Sequence, residues 1–114
     1  MDNTTSLDGW ASELRSGILP LAVLAQLETP QYGSSLIRAL EQRGLLVDPS
    51  ELAPLLRRLE KQKLLTGTWD QTGNRPRKYY VLSEAGVEAL ARLNSDWQNV
   101  TQELQQLIEG DGSQ

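Results

Sequence analysis

The chain has 114 residues, 39% hydrophobic and 23% charged, enough for one soluble domain with a modest core and too balanced for a disordered chain. It has no cysteine and no histidine, which excludes disulfides, thiolate chemistry and the commonest acid–base and metal-ligating side chain, so no metal or cofactor is expected. The net charge of −4 is uneven: from Gln31 to Tyr80 nine Lys/Arg stand against five Asp/Glu, a surplus of +4 that leaves −8 for the two flanks.

Such a basic block between acidic arms is either the ordinary scatter of charge on helix surfaces or the footprint of a polyanion-binding module. Residues 1–8 lack the basic run and apolar stretch of a secretion signal. The longest apolar run, Ile18–Leu27, is about half of what spans a bilayer. The expected setting is the cytoplasm, with no membrane partner.

Leu7, Trp10, Leu14, Ile18 and Leu21 recur at spacings of three and four, which predicts a first helix over Leu7–Leu27. Asp8 is its candidate N-cap, and Pro20 predicts a kink. A second helix is expected from about Tyr32 to Arg43, with Leu36, Ile37 and Leu40 inward and Gly44 as the terminating C′ residue. Asp48-Pro49-Ser50-Glu51 is the clearest start signal in the chain. It offers Asp48 as N-cap, Pro49 at N1 and Glu51 as the N3 member of a capping box. The third helix then runs to about Gln62 on a buried face of Leu52, Leu55, Leu56 and Leu59. Two strand-like runs follow, Leu64–Asp70 and Arg77–Leu82, around a tip in which Gly73-Asn74 supplies backbone freedom. Ser83 caps a long fourth helix to about Glu109, where Gly110 stops it.

The fold class predicted is mainly α with a small β-hairpin: a winged helix-turn-helix with a long C-terminal dimerisation helix. Its layout is a disordered N-terminus at 1–6, a winged-helix DNA-binding domain at 7–82, the dimerisation helix at 83–109 and a disordered tail at 110–114. An α-helix fits the major groove, and a hairpin with arginines near its tip can follow phosphates or enter the minor groove. Arg57, Arg58 and Lys61 fall away from the leucines of the third helix, and Arg75, Arg77 and Lys78 lie in and after the tip. These are either DNA contacts or solvated charges.

The run Leu52-Ala53-Pro54-Leu55-Leu56-Arg57-Arg58-Leu59-Glu60-Lys61 resembles the recognition-helix signature of the PadR family of winged helix-turn-helix transcriptional regulators. Trp69 and then Arg75-Pro76-Arg77-Lys78-Tyr79-Tyr80-Val81-Leu82-Ser83-Glu84-Ala85-Gly86 are similar to its wing. Leu21-Ala22-Val23-Leu24-Ala25 and Tyr32-Gly33 are similar to its first helix and the start of its second. The resemblance spans roughly Leu14–Leu107 and implies contacts to a palindromic operator in double-stranded DNA from Tyr32, Ser50, Glu51, Ala53, Arg57, Arg58, Lys61, Arg75, Arg77 and Lys78. The departures fall where DNA would be read. The family commonly has Gly-Thr-Leu-Tyr where this chain has Ser50-Glu51-Leu52-Ala53, and Gln62-Lys63 replaces an expected glycine. Ala53 cannot donate to a phosphate, and Glu51 repels one unless it accepts from a cytosine amino group or only closes the capping box.

Leu90, Leu93, Trp97, Val100, Leu104 and Leu107 follow spacings of 3, 4, 3, 4 and 3, a heptad seam. Either helices one and four pair within one chain, or a homodimer buries Leu7, Trp10, Leu14, Leu93, Trp97, Val100, Leu104 and Leu107 across a twofold axis. In the family's short-C-terminal branch, a tryptophan in the place of Trp97 faces its symmetry mate across a pore that takes planar aromatic compounds. The resemblance thus implies a small planar aromatic ligand among Trp10, Leu14, Leu93, Asp96, Trp97 and Val100, with Asp96 favouring a cation. The plainer reading makes Trp97 dimer core. The function expected is a DNA-binding regulator, a repressor released from its operator by such a ligand. The rival is a winged-helix module that binds protein, and no catalytic set points to an enzyme.

Overall fold

In the computed structural model, which describes residues 3–110, four helices enclose a leucine core and a three-stranded sheet closes one side of it. Helix α1 spans Asn3–Gln26, α2 Gly33–Gln42, α3 Pro49–Lys61 and α4 Glu84–Glu109; strands β1, β2 and β3 are Gln31–Tyr32, Leu65–Asp70 and Arg77–Leu82. The architecture is the mainly helical winged helix-turn-helix expected.

Helix α1 begins earlier than the apolar spacing predicts. Asn3–Ser6 are helical, so Asp8 lies within the helix instead of capping it. Residues 1–2 and 111–114, expected to be disordered, lie outside the described residues. The polar Asn-Thr-Thr-Ser run carries no apolar period to reveal a helix, but nothing in it breaks one. Through Pro20 the helix is uninterrupted. Leu19, Val23 and Leu24 of the helix are buried, with Leu27 just past its end, whereas the stripe of Leu7, Trp10 and Leu14 stands on the exposed side.

The core joins those four side chains to Leu36 and Leu40 of α2, Val47, Leu52, Leu55, Leu56 and Leu59 around α3, and Leu65 of β2. Helix α2 ends in a Schellman motif, as Gly44 predicts. Gly44 takes φ +95°, and the Gly44 and Leu45 N–H groups donate to the carbonyls of Glu41 and Leu40 at 3.0 and 2.9 Å. Helix α3 starts as its sequence dictates: Asp48 Oδ1 accepts from the Ser50 N–H at 2.9 Å with Pro49 at N1. The capping box does not form. The Glu51 carboxylate turns to α1 and accepts from the Ser16 hydroxyl at 2.7 Å.

The sheet order is β1-β3-β2, antiparallel throughout, with Leu65 opposite Leu82, Asp70 opposite Arg77 and Tyr32 opposite Tyr79. The two-residue β1 is a third strand that the sequence pattern does not predict. The hairpin tip also differs: neither Gly73 nor Asn74 takes a positive φ. The turn is instead organised by Asp70, whose Oδ1 accepts from the Thr72 N–H and hydroxyl at 3.0 and 2.7 Å.

At the root of α4 one residue satisfies several groups. The Ser83 hydroxyl accepts from the Gly86 N–H at 3.0 Å and donates to the Lys63 carbonyl at 2.6 Å, while the Ser83 N–H donates to the Leu64 carbonyl at 3.1 Å. Gly86 lies against the Leu64 carbonyl oxygen so closely that any Cβ would collide with it. Helix α3 ends nearby in a second Schellman motif, with Lys63 and Leu64 N–H donating to Glu60 and Leu59 carbonyls at 2.8 and 3.0 Å. Lys63 therefore carries φ +68° at the place where the sequence lacks its expected glycine.

That left-handed backbone costs an L-residue about 1–2 kcal/mol, against about 0.5–1 kcal/mol for the extra unfolded freedom of a glycine. Lys63→Gly should accordingly stabilise the fold by about 0.5–1 kcal/mol, seen as a higher urea midpoint at unchanged m-value. A lowered midpoint would contradict the strain assigned to this turn.

Candidate nucleic-acid interface and arm groove

Helix α3 turns four leucines inward, and the opposite face carries Ser50, Arg57 and Lys61 at spacings of seven and four. Ser50, Glu51, Ala53, Arg57, Arg58 and Lys61 are all exposed, so each predicted residue of this helix is at the surface. They do not form one set. Arg58 and Glu51 lie toward α1 beside Ser16, Leu19, Pro20, Pro54 and Leu55, whereas Ser50, Arg57 and Lys61 point straight out. Among the described residues the ion pairs are Lys78–Glu60 and Arg92–Asp96, which leaves Arg57, Arg58, Lys61 and Arg75 unpaired.

The wing's three predicted cations are placed differently. Arg75 stands exposed in the loop between β2 and β3. The Arg77 guanidinium lies 3.7 Å from the centre of the Tyr32 ring, and that ring meets Tyr79 edge-on at 5.9 Å. Tyr32 is itself half-buried, and its hydroxyl donates to the Asp70 carboxylate. That bond, with the Thr72 donors, pulls Asp70 down to about 2, and it raises the Tyr32 phenol. Lys78 is also half-buried; its Nζ is 2.8 Å from Glu60 Oε1, an attachment that raises its pKa. Tyr32 and Lys78, both expected to face DNA, are thus engaged within the fold. Asp70, Glu60 and Ser16 are partners that sequence reasoning misses. Asp70-Gln71-Thr72 carries the residue types of an Asx turn, and Gly67 inside a strand signals close approach of another group; Ser16 carries no local signal.

Helices α1 and α4 pack against each other within the chain and leave a groove of about 470 Å³ between them. Leu14, Ile18, Leu21, Leu93, Trp97 and Val100 line it, with the acidic residues Glu13 and Asp96. Asp96 accepts from the Arg92 Nε at 3.1 Å one turn earlier. Five of the six residues expected to form a pocket are brought together; Trp10, 65% exposed, lies outside it, one turn before Leu14. Trp97 and Val100 in the groove remain 45% and 52% exposed, and beyond it Leu7, Leu104, Leu107 and Ile108 are between 48% and 80% exposed. No helix among the described residues is long and apolar enough to cross a membrane.

Comparison with known proteins bears directly on this arrangement. A sequence model described as the transcriptional regulator PadR-like family matches residues 21–92, from the last turns of α1 through the wing into α4. No curated protein matches the chain. Among solved structures, a PadR family transcriptional regulator from Eggerthella lenta is 35% identical over 95% of this chain and 96% of its own, with a TM-score of 0.91. A PadR-like transcription factor from Bacteroides fragilis is 32% identical, covering 87% and 98% of the two chains at a TM-score of 0.72. A PadR-like regulator from Bacillus cereus is 29% identical, covering 86% and 98% at 0.74. With the family matched across α3, the wing and the root of α4, this chain belongs to the PadR-like family of transcriptional regulators, which are not enzymes.

Proposed function

We propose that the chain is a repressor that binds a palindromic operator as a twofold dimer, with residues 7–82 as the reading module and 83–109 as the dimerisation arm. The observation that carries the DNA contact is the unpaired cationic face of α3, Arg57 and Lys61 directly opposite its leucines. Such a face suits the major groove, and Arg75 at the wing tip suits the flanking phosphates. The turning of Glu51 toward Ser16 also weakens the case for a protein-binding module. Its charge then belongs to the α1–α3 joint, and the outward face keeps its cations.

Dimerisation is supported by the apolar stripe of α1 and α4, which water would otherwise cover. The groove beside Trp97 supports a regulatory ligand: its walls are apolar and include an indole on which a flat aromatic compound can stack, with Glu13 and Asp96 as its acidic residues and Asp96 already held by Arg92. A ligand there touches the face of α1 opposite Ser16, whose hydroxyl holds the first turn of α3. Occupancy of the groove then shifts the reading helix through α1 and releases DNA.

Fluorescence anisotropy with duplex DNA from just upstream of the chain's own gene tests the reading. Arg75→Ala should weaken binding and lower the slope of log K against log salt by about one, the signature of one lost phosphate contact. An unchanged slope would remove the wing tip from the interface. In sedimentation equilibrium the wild type should be a dimer at micromolar concentration, and Leu104→Glu a monomer, because it places a charge in the apolar seam; a folded wild-type monomer would refute the assembly. By calorimetry, Trp97→Ala should bind a planar cationic dye about two- to thirtyfold more weakly, the equivalent of about 0.5–2 kcal/mol of lost stacking. Equal affinity would leave Trp97 as packing alone.

A further inference from the structure

The second residue of β3 and the last turn of α3 are joined by a contact that the DNA reading leaves unexplained. Lys78 reaches across β2 at Gly67: a Cβ on that glycine would stand 2.5 Å from Lys78 Cε and 2.7 Å from Glu60 Oε2. The strand thus has a notch, and the Lys78 stem lies in it. Trp69 is directly opposite Lys78 across the sheet, and Tyr80 is opposite Gly67. The Lys78 Nζ sits 5.7 Å from the Trp69 ring centre and 5.4 Å from that of Tyr80, and it ends 2.8 Å from Glu60 Oε1. Only 27% and 31% of the two charged side chains remain exposed, so the pair is shielded more than a free surface pair.

We propose that Lys78 and Glu60 are positioning residues that set the angle between the wing and the recognition helix, and that Lys78 is not a phosphate contact. The inference rests on the reading of α3 and the wing as the DNA-contacting elements. Its consequence runs against simple charge counting. Glu60 is an anion on the helix that meets a polyanion, so removing its charge should tighten DNA binding if charge alone mattered. As a positioning residue it does the reverse. Without it the wing loses its fixed relation to Arg57 and Lys61, and binding must then include the entropy of ordering the wing. Gly67 belongs to the same device, because a side chain there would push the ends of Lys78 and Glu60 from the positions in which they meet.

The test uses the full chain, Glu60→Gln and Lys78→Met, with two readouts. Amide hydrogen exchange without DNA should be about two- to fivefold faster at the β2 and β3 amides in both variants, the range expected when one partly exposed ion pair is lost. Anisotropy with the upstream duplex across a salt series should show both variants binding about two- to fivefold more weakly, with the wild-type salt slope unchanged. Tighter binding by Glu60→Gln, or a slope reduced by about one in Lys78→Met, would assign Lys78 to the phosphates and overturn the proposal. Unchanged exchange in both variants would overturn it equally. Should the wild type bind no DNA, the functional reading fails, while the exchange measurement still decides whether the pair holds the wing.

Discussion

Where α3, the wing and α4 converge, the Leu64 carbonyl oxygen occupies the space that a side chain on Gly86 would need. Around it the Ser83 hydroxyl uses both its donor and its acceptor capacity, holding the Lys63 carbonyl on one side and the first turn of α4 on the other. The arrangement fixes the angle at which a 26-residue helix leaves the domain. Such a helix is about 39 Å long, so an error of about 10° at its root moves its far end by about 7 Å. The seam residues Leu104 and Leu107 lie at that far end. A glycine and a serine at the root therefore decide where the arm's apolar surface is presented, although neither contributes to that surface.

The same economy governs the cations. Arg57 and Lys61 of the third helix point away from its leucines and meet no internal partner among the described residues, while two of the three in the wing are held by the fold, Arg77 over Tyr32 and Lys78 on Glu60. The two attachments lie on opposite faces of the hairpin, as the alternation of Arg77 and Lys78 along β3 requires. An isolated two-stranded hairpin is marginal in water. Here it gains a third strand from β1, a phenol-to-carboxylate bond from Tyr32 to Asp70 and an ion pair to α3. The wing is consequently fixed to the body of the domain, and only its tip, with Arg75, stands free.

Much of this architecture is legible in the sequence, and the division between what is and what is not follows range along the chain. Asp48-Pro49 and Ser83 name their helices because a cap is a bond between near neighbours, and the four leucines of α3 repeat within a single element. Gly44 marks its turn for the same reason. Strand β1 is not legible: two residues cannot show an alternation, and Gln31–Tyr32 is a strand only because β3 lies beside it. Glu51 matches a local capping pattern but finds Ser16, 35 positions earlier, within reach. Lys78 reads as a free cation since Glu60 is 18 residues away and on another element. Lys63 shows the limit in another form. The glycine that signals a left-handed turn is missing there, yet the turn is present, imposed by the meeting of α3 with β2 and α4.

The absence of histidine and cysteine acquires a meaning from the wing's attachments. Asp70 is drawn down to about 2, while Tyr32 and Lys78, whose ordinary values already lie far above neutrality, are raised further. Stability that depends on the Asp70 carboxylate is full above its ordinary value near 3.8 and is lost only as the pH falls toward 2. Asp70, Tyr32 and Lys78 have thus been moved outward, away from the middle of the pH scale. No thiol is present to be oxidised. With neither histidine nor cysteine in the chain, no imidazole titration and no thiol oxidation loosens these attachments.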